Sequence, residues 1–334
     1  MSAGADTKVA QITGAQAVNM ALTEAMENDP TVLVFGEDVA DPEGGGVIKV
    51  TQGLSTRFGD HRVKSTPIAE QAIVGAAVGA AIAGMRPVAE IMLMNFFTVA
   101  MDQIVNHAAK IRYMSGGATA VPLTIRTLTG AGNSLGGQHS DMLEAWMAHT
   151  AGLKVVIPSN PADYKGLLLS CIEDDNPCIF VENGILMFTP GDAPPPGHRV
   201  PLGKAAIPRE GSDVTLVSYG RPVLDCIAVA DQLAEEGISV EVIDLRTIVP
   251  MDEAAIFASV GKTGRVVIVH EAVKRFGVGA EIAARISETC FGKLKAPIER
   301  IGAKYSPVPF SSALEKDFIW SRERVEAAVR KVMG

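Results

Sequence analysis

The chain has 334 residues and carries a net charge of −8, with a pI near 5.4. This length is enough for two domains with hydrophobic cores of their own. Because nucleic acids and anionic membranes are themselves negatively charged, the acidic balance argues against both as partners. Hydrophobic residues make up 47% and charged residues 20% of the chain, which is typical of a well-buried α/β protein.

Neither the N-terminus nor the cysteines indicate export. Residues 1–10 lack the basic and apolar regions of a signal peptide, and the longest small apolar run, residues 72–85, is too short to span a bilayer. The four cysteines, Cys171, Cys178, Cys226 and Cys290, form no CxxC pair. We therefore predict a cytoplasmic protein whose cysteines are reduced thiols in the core.

Taken in order, the first half of the chain alternates helices and strands. Thr13 and Gln16 have the spacing of a capping box and predict an opening helix. Apolar runs predict strands at residues 31–35, 87–94, 122–128, 153–158 and 178–182. Helical spacing predicts one long helix over residues 97–114 and another over residues 161–174.

A single carboxylate, Glu70, opens a helix that otherwise consists of small and apolar residues. Pro67 sets the entry of the chain into this helix, and Gly84 ends it. An acidic residue in the first turn complements the helix dipole, which is one explanation of Glu70. The other is a reactive carboxylate at the edge of a poorly solvated cleft. The face with Gly75 and Gly79 allows another backbone to approach closely, or packs in the core of its own domain.

A glycine-rich loop at residues 129–140 follows a predicted buried strand and carries His139. It does not match a dinucleotide fingerprint or a P-loop. Ligands of α/β proteins bind at the carboxyl ends of parallel strands, so His139 is a candidate site residue. The alternative is a solvated loop histidine.

The composition changes after residue 185. Residues 189–197 are rich in Pro and Gly, cannot form regular structure, and indicate a linker. Beyond it, strands are predicted at residues 213–219, 239–248, 266–270 and 297–301, and helices at residues 223–236, 252–260 and 278–290, with a last helix capped by Ser321. The second half is therefore a smaller, mostly parallel α/β domain.

Several short motifs are too particular to be generic. They are Gly36-Glu37-Asp38-Val39, Thr66-Pro67-Ile68-Ala69-Glu70-Gln71, Gly84-Met85-Arg86-Pro87, Tyr113-Met114-Ser115-Gly116-Gly117, Gln138-His139-Ser140, Pro158-Ser159-Asn160-Pro161 and Asp244-Leu245-Arg246-Thr247-Ile248. Together they closely resemble the beta subunit of thiamine-diphosphate-dependent 2-oxo acid dehydrogenases of the pyruvate, acetoin and branched-chain type. The match runs from about Val9 to the C-terminus.

The resemblance implies a pyrimidine-binding, transketolase-like domain at residues 1–188, a linker at 189–200, and a transketolase C-terminal-like domain at 201–334. It implies an oxidoreductase that is active only with an alpha subunit, in an alpha2-beta2 heterotetramer docked on a lipoyl acyltransferase core. Thiamine diphosphate would be shared with the alpha subunit, which would also supply the Mg²⁺ ligands. The family's Gly-Asp-Gly motif for diphosphate and magnesium does not occur in this chain.

The resemblance also assigns roles to individual residues. Glu70 matches the glutamate that activates the cofactor through a ring nitrogen of the aminopyrimidine, and His139 matches a histidine near the thiazolium. Ile68, Met92 and Phe96 match positions that line the pyrimidine. A structural monovalent-cation site, for K⁺, matches Leu123, Cys171, Ile172, Asp174 and Asn176.

Two departures from the family pattern leave questions open. Ser65 replaces a common aspartate, and Asp141 replaces a common glutamine close to the proposed site. Residues 44–95 are more similar to acetoin or pyruvate members, whereas residues 174–181 are more similar to branched-chain members, so the substrate stays undecided. A non-catalytic scaffold of the same fold is the alternative function, which intact Glu70 and His139 disfavour.

Overall fold

The structure is a computed structural model that describes residues 10–334; the prediction that residues 1–10 are not a signal peptide falls almost wholly on residues outside the described ones. The described strands are β1 (Gln11–Thr13), β2 (Val32–Gly36), β3 (Val63–Ser65), β4 (Arg86–Leu93), β5 (Thr124–Thr129), β6 (Lys154–Val156), β7 (Cys178–Asn183), β8 (Pro190–Asp192), β9 (Ala206–Arg209), β10 (Val214–Ser218), β11 (Val240–Asp244), β12 (Thr247–Val249), β13 (Val266–Val273) and β14 (Glu299–Ala303). The α-helices are α1 (Gly14–Asn28), α2 (Leu54–Phe58), α3 (Glu70–Ile82), α4 (Phe97–Asp102), α5 (Ile111–Met114), α6 (Glu144–Ala148), α7 (Pro161–Glu173), α8 (Pro222–Ala234), α9 (Glu253–Thr263), α10 (Val278–Cys290), α11 (Ser312–Phe318) and α12 (Arg322–Met333).

The first domain is built on a seven-stranded sheet in the order β12-β6-β7-β5-β4-β2-β3. All neighbouring strands in it are parallel except β12, which runs antiparallel to β6. Helices α1 and α7 cover one face, and α3 and α4 cover the other. Since both faces are buried, a strand such as β2 is a nearly continuous apolar run, as expected for a parallel sheet, whereas β5 (TIRTLT) also buries polar side chains.

The second domain has a five-stranded sheet in the order β14-β13-β10-β11-β9, parallel except for β9. Its core is not separate from that of the first domain. One apolar cluster extends from Ile73 on α3 through Ile125 on β5 to Ile268 on β13. The two domains therefore share buried surface, which fixes their relative position.

Local signals in the sequence are confirmed where they are strongest. The Thr13 hydroxyl accepts from the Gln16 N–H and the Gln16 side chain accepts from the Thr13 N–H, which is the predicted capping box of α1. Helix α3 begins at Glu70 itself, and Ser321 caps α12. All four cysteines are buried and free, as predicted.

Three predictions about regular structure were wrong in part. Residues 190–192 form β8, which pairs antiparallel with β1, so the linker is not wholly irregular. The helix predicted over residues 97–114 is interrupted by a π-helical segment, Gln103–Ala108. The strand predicted over residues 239–248 ends at Asp244, because Arg246 adopts a φ of 59°; the chain then adds β12 to the sheet of the first domain.

One face of α3 is left exposed by this packing. Ala72, Ala76 and Gly79 lie on it, while Ile73, Val74 and Ala77 point into the core. A Cβ placed on Gly79 would meet no atom within 4 Å. The described residues thus give Gly79 no close packing partner, and its role in packing against another polypeptide stays a prediction.

Candidate active site

Four neighbouring strands of the first sheet end at one edge, and the predicted site residues follow these strand ends. Glu70 begins the helix after β3, and Glu37, which was not among the predicted site residues, follows β2. Met92 lies near the end of β4, and Phe96 follows it. His139 lies in the loop between β5 and α6, residues 130–143, which we call the histidine loop. Since β3, β2, β4 and β5 are adjacent and parallel, the topology brings these residues to the same edge of the sheet.

Glu70 is nearly buried even in the single chain. It is 9% exposed, whereas Ile68, two residues earlier, is 83% exposed. A second carboxylate lies nearby: burial raises the pKa of Glu37, and the negative charges of Glu70, Asp38 and Glu90 raise it further. The structure thus places a second acidic side chain, Glu37, within the electrostatic influence of Glu70.

Phe96 and His139 are in direct contact across the site. The phenyl and imidazole centroids are 5.6 Å apart, and the rings meet edge to face at 76°. Met92 and Phe96 are half-buried, so both present apolar surface at this edge. The structure thus joins two of the predicted residues, which lie 43 positions apart in the sequence.

Asp141 is held against the segment that carries Phe96. The Asn95 side-chain amide donates to the Asp141 carboxylate at 2.9 Å, and the Asp141 N–H donates to the Asn95 amide oxygen at 3.2 Å. Asn95 also donates to the Gly137 carbonyl at 3.1 Å. This reciprocal pair ties the end of β4 to the histidine loop on both sides of His139.

A buried ion triad lies beneath the site. The Arg126 guanidinium, 1% exposed, contacts Glu182 at 2.7 Å and Glu90 at 2.8 Å. Burial raises the pKa of Glu182 to about 7, with the charge of Arg126 opposing this shift. A cavity of about 20 Å³, large enough for one water, lies between this triad, Gly46 and Met92.

The residues predicted to hold a monovalent cation come together around the β5, α7 and β7 junction. The Leu123 carbonyl accepts from the Cys178 N–H at 2.8 Å, and the Cys171 carbonyl accepts from the Asp174 N–H. The Ile172 and Asp174 carbonyls both accept from the Arg86 guanidinium, at 3.0 and 3.1 Å. Asn176 donates through its backbone and its side chain to the Asp174 carboxylate at 2.8 Å.

Sequence reasoning missed the polar contacts between the two domains. Glu144 is fully buried and accepts from the Tyr219 hydroxyl at 2.7 Å; burial raises its pKa to about 7. Glu271 and Glu315, 3% and 2% exposed, both bond to the histidine loop. A carboxylate within an apolar strand, as in residues 266–273, was the one available signal for Glu271.

The described residues contain no group of three or more His, Cys, Asp and Glu side chains arranged to hold a metal ion. No helix within residues 10–334 combines the length and the apolar character needed to cross a membrane.

Comparison with known proteins matches both domains. The model of the transketolase pyrimidine-binding domain matches residues 10–187, and that of the transketolase C-terminal domain matches residues 203–325. A split-gene transketolase, described as an inactive β4 tetramer, superposes with a TM-score of 0.79 over 96% of this chain and 98% of that chain. At 23% identity this likeness supports the fold alone.

Two relatives extend the comparison to whole proteins. The chain is 45% identical over 325 residues to the acetoin:2,6-dichlorophenolindophenol oxidoreductase subunit beta of Cupriavidus necator, covering 95% of this chain and 96% of that protein. It is 43% identical over 329 residues to the mitochondrial pyruvate dehydrogenase E1 component subunit beta of Homo sapiens, covering 97% of this chain and 91% of that protein. The chain therefore belongs to the transketolase-like family of beta subunits of thiamine-diphosphate-dependent acetoin and pyruvate dehydrogenases.

Proposed function

We propose that this chain is a catalytic beta subunit, with Glu70 and His139 as its catalytic residues. The observation that carries the proposal is the gathering of Glu70, Phe96 and His139 at one edge of the first sheet, with the Phe96 and His139 rings in contact. A scaffold would require neither a nearly buried carboxylate at a helix start nor an imidazole at the same edge.

The residues at this edge fit the aminopyrimidine end of thiamine diphosphate. A nearly buried carboxylate, Glu70, can bond a ring nitrogen, and apolar side chains at Ile68, Met92 and Phe96 can cover an aromatic ring. When bound, the cofactor supplies the electron sink for cleavage of a bond next to a carbonyl group. The chain's own side chains at this edge bind and orient the reacting groups and transfer protons.

With the cofactor bound, the Glu70 carboxylate would hydrogen-bond the ring nitrogen, and the half-buried side chains of Met92 and Phe96 would shield that bond from water. The imidazole of His139 can act as a proton donor or acceptor, which suits acyl transfer to a lipoyl group. Phe96 restricts the orientation of the imidazole through the edge-to-face contact. The substrate class is acetoin or a 2-oxo acid, in line with the relatives.

To test Glu70, we would substitute Glu70→Gln in the enzyme assembled with its alpha subunit. We expect dye reduction to fall about 100-fold or more, the order of magnitude of general acid–base catalysis, while the assembly stays intact. The matched control is Glu281→Gln. Glu281 is an exposed carboxylate in the first turn of α10, which has the same length as α3, 13 residues. Near-normal turnover of the Glu70 variant would remove Glu70 from the mechanism. An equal loss in both variants would point to the helix dipole instead.

The partner is an alpha subunit, which holds Mg²⁺ and the diphosphate. The alpha2-beta2 assembly delivers acyl groups to a lipoyl acyltransferase core. We expect the isolated chain to bind thiamine diphosphate weakly and the reconstituted assembly to bind it tightly in the presence of Mg²⁺, measured by titration calorimetry. Tight binding by the isolated chain would contradict a shared site. Dye reduction on acetoin, pyruvate and branched-chain 2-oxo acids would then identify the substrate.

The K⁺ site at Leu123, Cys171, Ile172, Asp174 and Asn176 is a separate proposal. Carbonyl oxygens have two lone pairs, so those of Ile172 and Asp174 can bond Arg86 and a cation together. K⁺ bound to the folded chain would raise the thermal unfolding midpoint in KCl above that in choline chloride at equal ionic strength. Equal midpoints would refute the site.

A further inference from the structure

The histidine loop belongs to the first domain, but residues of the second domain hold much of its backbone. The loop is a long connection between β5 and α6, and Gly130, Gly132 and Gly136 in it adopt positive φ angles. Glycine leaves such a backbone many alternative conformations. Something outside the loop must therefore select the one in which His139 meets Phe96.

The beginning of the loop is held by two residues of the second domain. The Ala131 N–H donates to the Glu271 carboxylate at 2.8 Å, and the Ala131 carbonyl accepts from the Arg221 guanidinium at 2.7 Å. Both backbone groups of Ala131 are thereby bonded to side chains of the second domain, and the bond from the charged Arg221 guanidinium is of the stronger, charge-assisted kind.

The middle of the loop is held by Glu315 on α11. Its two carboxylate oxygens accept from the Gly132 N–H at 2.6 Å and from the Ser134 N–H at 3.0 Å. Glu315 is 2% exposed. A buried carboxylate bonded to two backbone donors resists displacement, because either partner left alone would be an unsatisfied buried group.

The segment just before His139 packs against a third part of the second domain. The Phe310 ring lies so close to Gly136 that a Cβ at that position would overlap it, and Pro307 lies 3.3 Å from the Cβ position of Gly137. Phe310 itself is 71% exposed, so it contributes contact with the loop rather than core packing.

These contacts are not needed to hold the domains together. Strand β12 already extends the first sheet by pairing with β6, and Arg246 of the second domain pairs with Asp163 of the first at 2.9 Å. The domains also share an apolar core. The loop contacts add little to that attachment, but they specify the conformation of the one segment that carries His139.

We propose that Glu315 is a positioning residue, which, with Glu271, Arg221 and Phe310, holds the histidine loop so that His139 stays against Phe96. The inference deepens the proposed function, since it rests on a role of His139 in acyl transfer. Glu70 lies on α3, outside this arrangement, so the two parts of the reaction depend on different supports. Loss of Glu315 should affect acyl transfer to lipoyl groups much more than dye reduction.

The experiment compares Glu315→Ala with Asp317→Asn in the assembled alpha2-beta2 enzyme. Asp317 lies on the same helix, is exposed, and pairs with Lys304 rather than with the loop, so its variant is the matched control. Hydrogen exchange of the peptide covering residues 130–140 measures loop order independently of activity. For Glu315→Ala we expect about tenfold faster exchange and about tenfold slower transfer to a lipoyl domain, as for the loss of charge-assisted hydrogen bonds, with dye reduction changed less than about threefold. Asp317→Asn should match the parent enzyme.

Two further variants test the proposal even if Glu315→Ala does not fold. Glu315→Gln keeps one acceptor oxygen and should fall between the parent enzyme and the alanine variant. Phe310→Ala removes an exposed side chain and should raise exchange of the loop even if Glu315→Ala does not fold. Unchanged exchange in Glu315→Gln and Phe310→Ala would overturn the proposal.

His139→Ala separates this proposal from the function on which it rests. Normal lipoyl transfer in His139→Ala would refute the role of His139 and with it the positioning claim. A second outcome would refute positioning alone. In it, His139→Ala transfers slowly to the lipoyl domain, whereas Glu315→Ala shows faster hydrogen exchange of the loop but normal lipoyl transfer. The proposed function would then stand.

Discussion

Glu144 lies fully buried where α6 of the first domain meets β10 of the second. One of its carboxylate oxygens accepts from the Tyr219 hydroxyl at 2.7 Å, and the other, Oε2, has no hydrogen-bond partner among the described residues. Burial raises the pKa of Glu144 from 4.5 to about 7, and the charge of Glu271 adds to this shift while the Tyr219 hydroxyl opposes it. Glu144 therefore keeps its proton in the folded chain at pH values where the unfolded chain has released it.

The sign of the effect on stability follows from this difference. Between pH 4.5 and about 7 the folded chain binds one more proton than the unfolded chain, so the free energy of unfolding falls as the pH rises. At about 1.4 kcal/mol per pH unit, the contribution of Glu144 falls by about 3 kcal/mol across this window. It is fully present below pH 4.5 and fully lost above about pH 7.

We would substitute Glu144→Gln, because glutamine has the shape of the protonated acid and can still accept from Tyr219. Urea unfolding of the parent and the variant from pH 4.5 to 8 gives the difference in stability at each pH. We expect the variant to gain about 3 kcal/mol relative to the parent over this range. Buried acids that do not act on Glu144, such as Glu182, titrate in both proteins and cancel in the difference; Glu271, whose charge raises the pKa of Glu144, is the exception.

The control is Glu281→Gln, which removes an exposed carboxylate and should leave the pH dependence unchanged. Parallel pH profiles for the parent and Glu144→Gln would refute the reasoning, because they would mean that Glu144 is ionised in the folded chain at neutral pH.

Two other substitutions test the support of the site. Arg126→Met should lower the free energy of unfolding by about 3 to 5 kcal/mol, because it leaves Glu90 and Glu182 without a buried counter-charge. Urea unfolding measures this difference. A loss of stability below about 1 kcal/mol would contradict a buried ion triad. Asp141→Ala should lower kcat/KM about tenfold by removing the hydrogen bond from the Asn95 amide to the Asp141 carboxylate, whereas Asp141→Asn, which keeps an acceptor oxygen, should stay within about threefold. Equal losses in the two Asp141 variants would assign the effect to charge rather than to the bond with Asn95.

Much of the architecture could be predicted because its signals are local. The capping box at Thr13, the Ser321 cap and the helix beginning at Glu70 depend on residues within one or two turns, and the structure confirms all three. Buried parallel strands such as β4 and β7 need continuous apolar runs, which the sequence displays directly. Glu70 and His139 could be singled out because a charge or an imidazole stands out in small, apolar or glycine-rich surroundings.

Three-residue strands carry no comparable signal. Strands β8 and β12 form because a partner strand offers free backbone groups at the right place, and their partners lie far away in the sequence: Gln11 faces Asp192, and Thr247 faces Val156. For this reason a Pro/Gly-rich segment predicted to be irregular became a strand, and one predicted strand was divided between two sheets.

By itself the sequence determined the order of most helices and strands and singled out Glu70 and His139 as candidate catalytic residues, because both kinds of signal are encoded within short segments. Only the tertiary structure decided that Phe96 meets His139, that Arg126 lies between two glutamates, and that Glu315 bonds the histidine loop. These contacts join residues 36 to 183 positions apart. They exist only once the two sheets are packed, since a buried carboxylate is tolerated only where the folded chain supplies its donors.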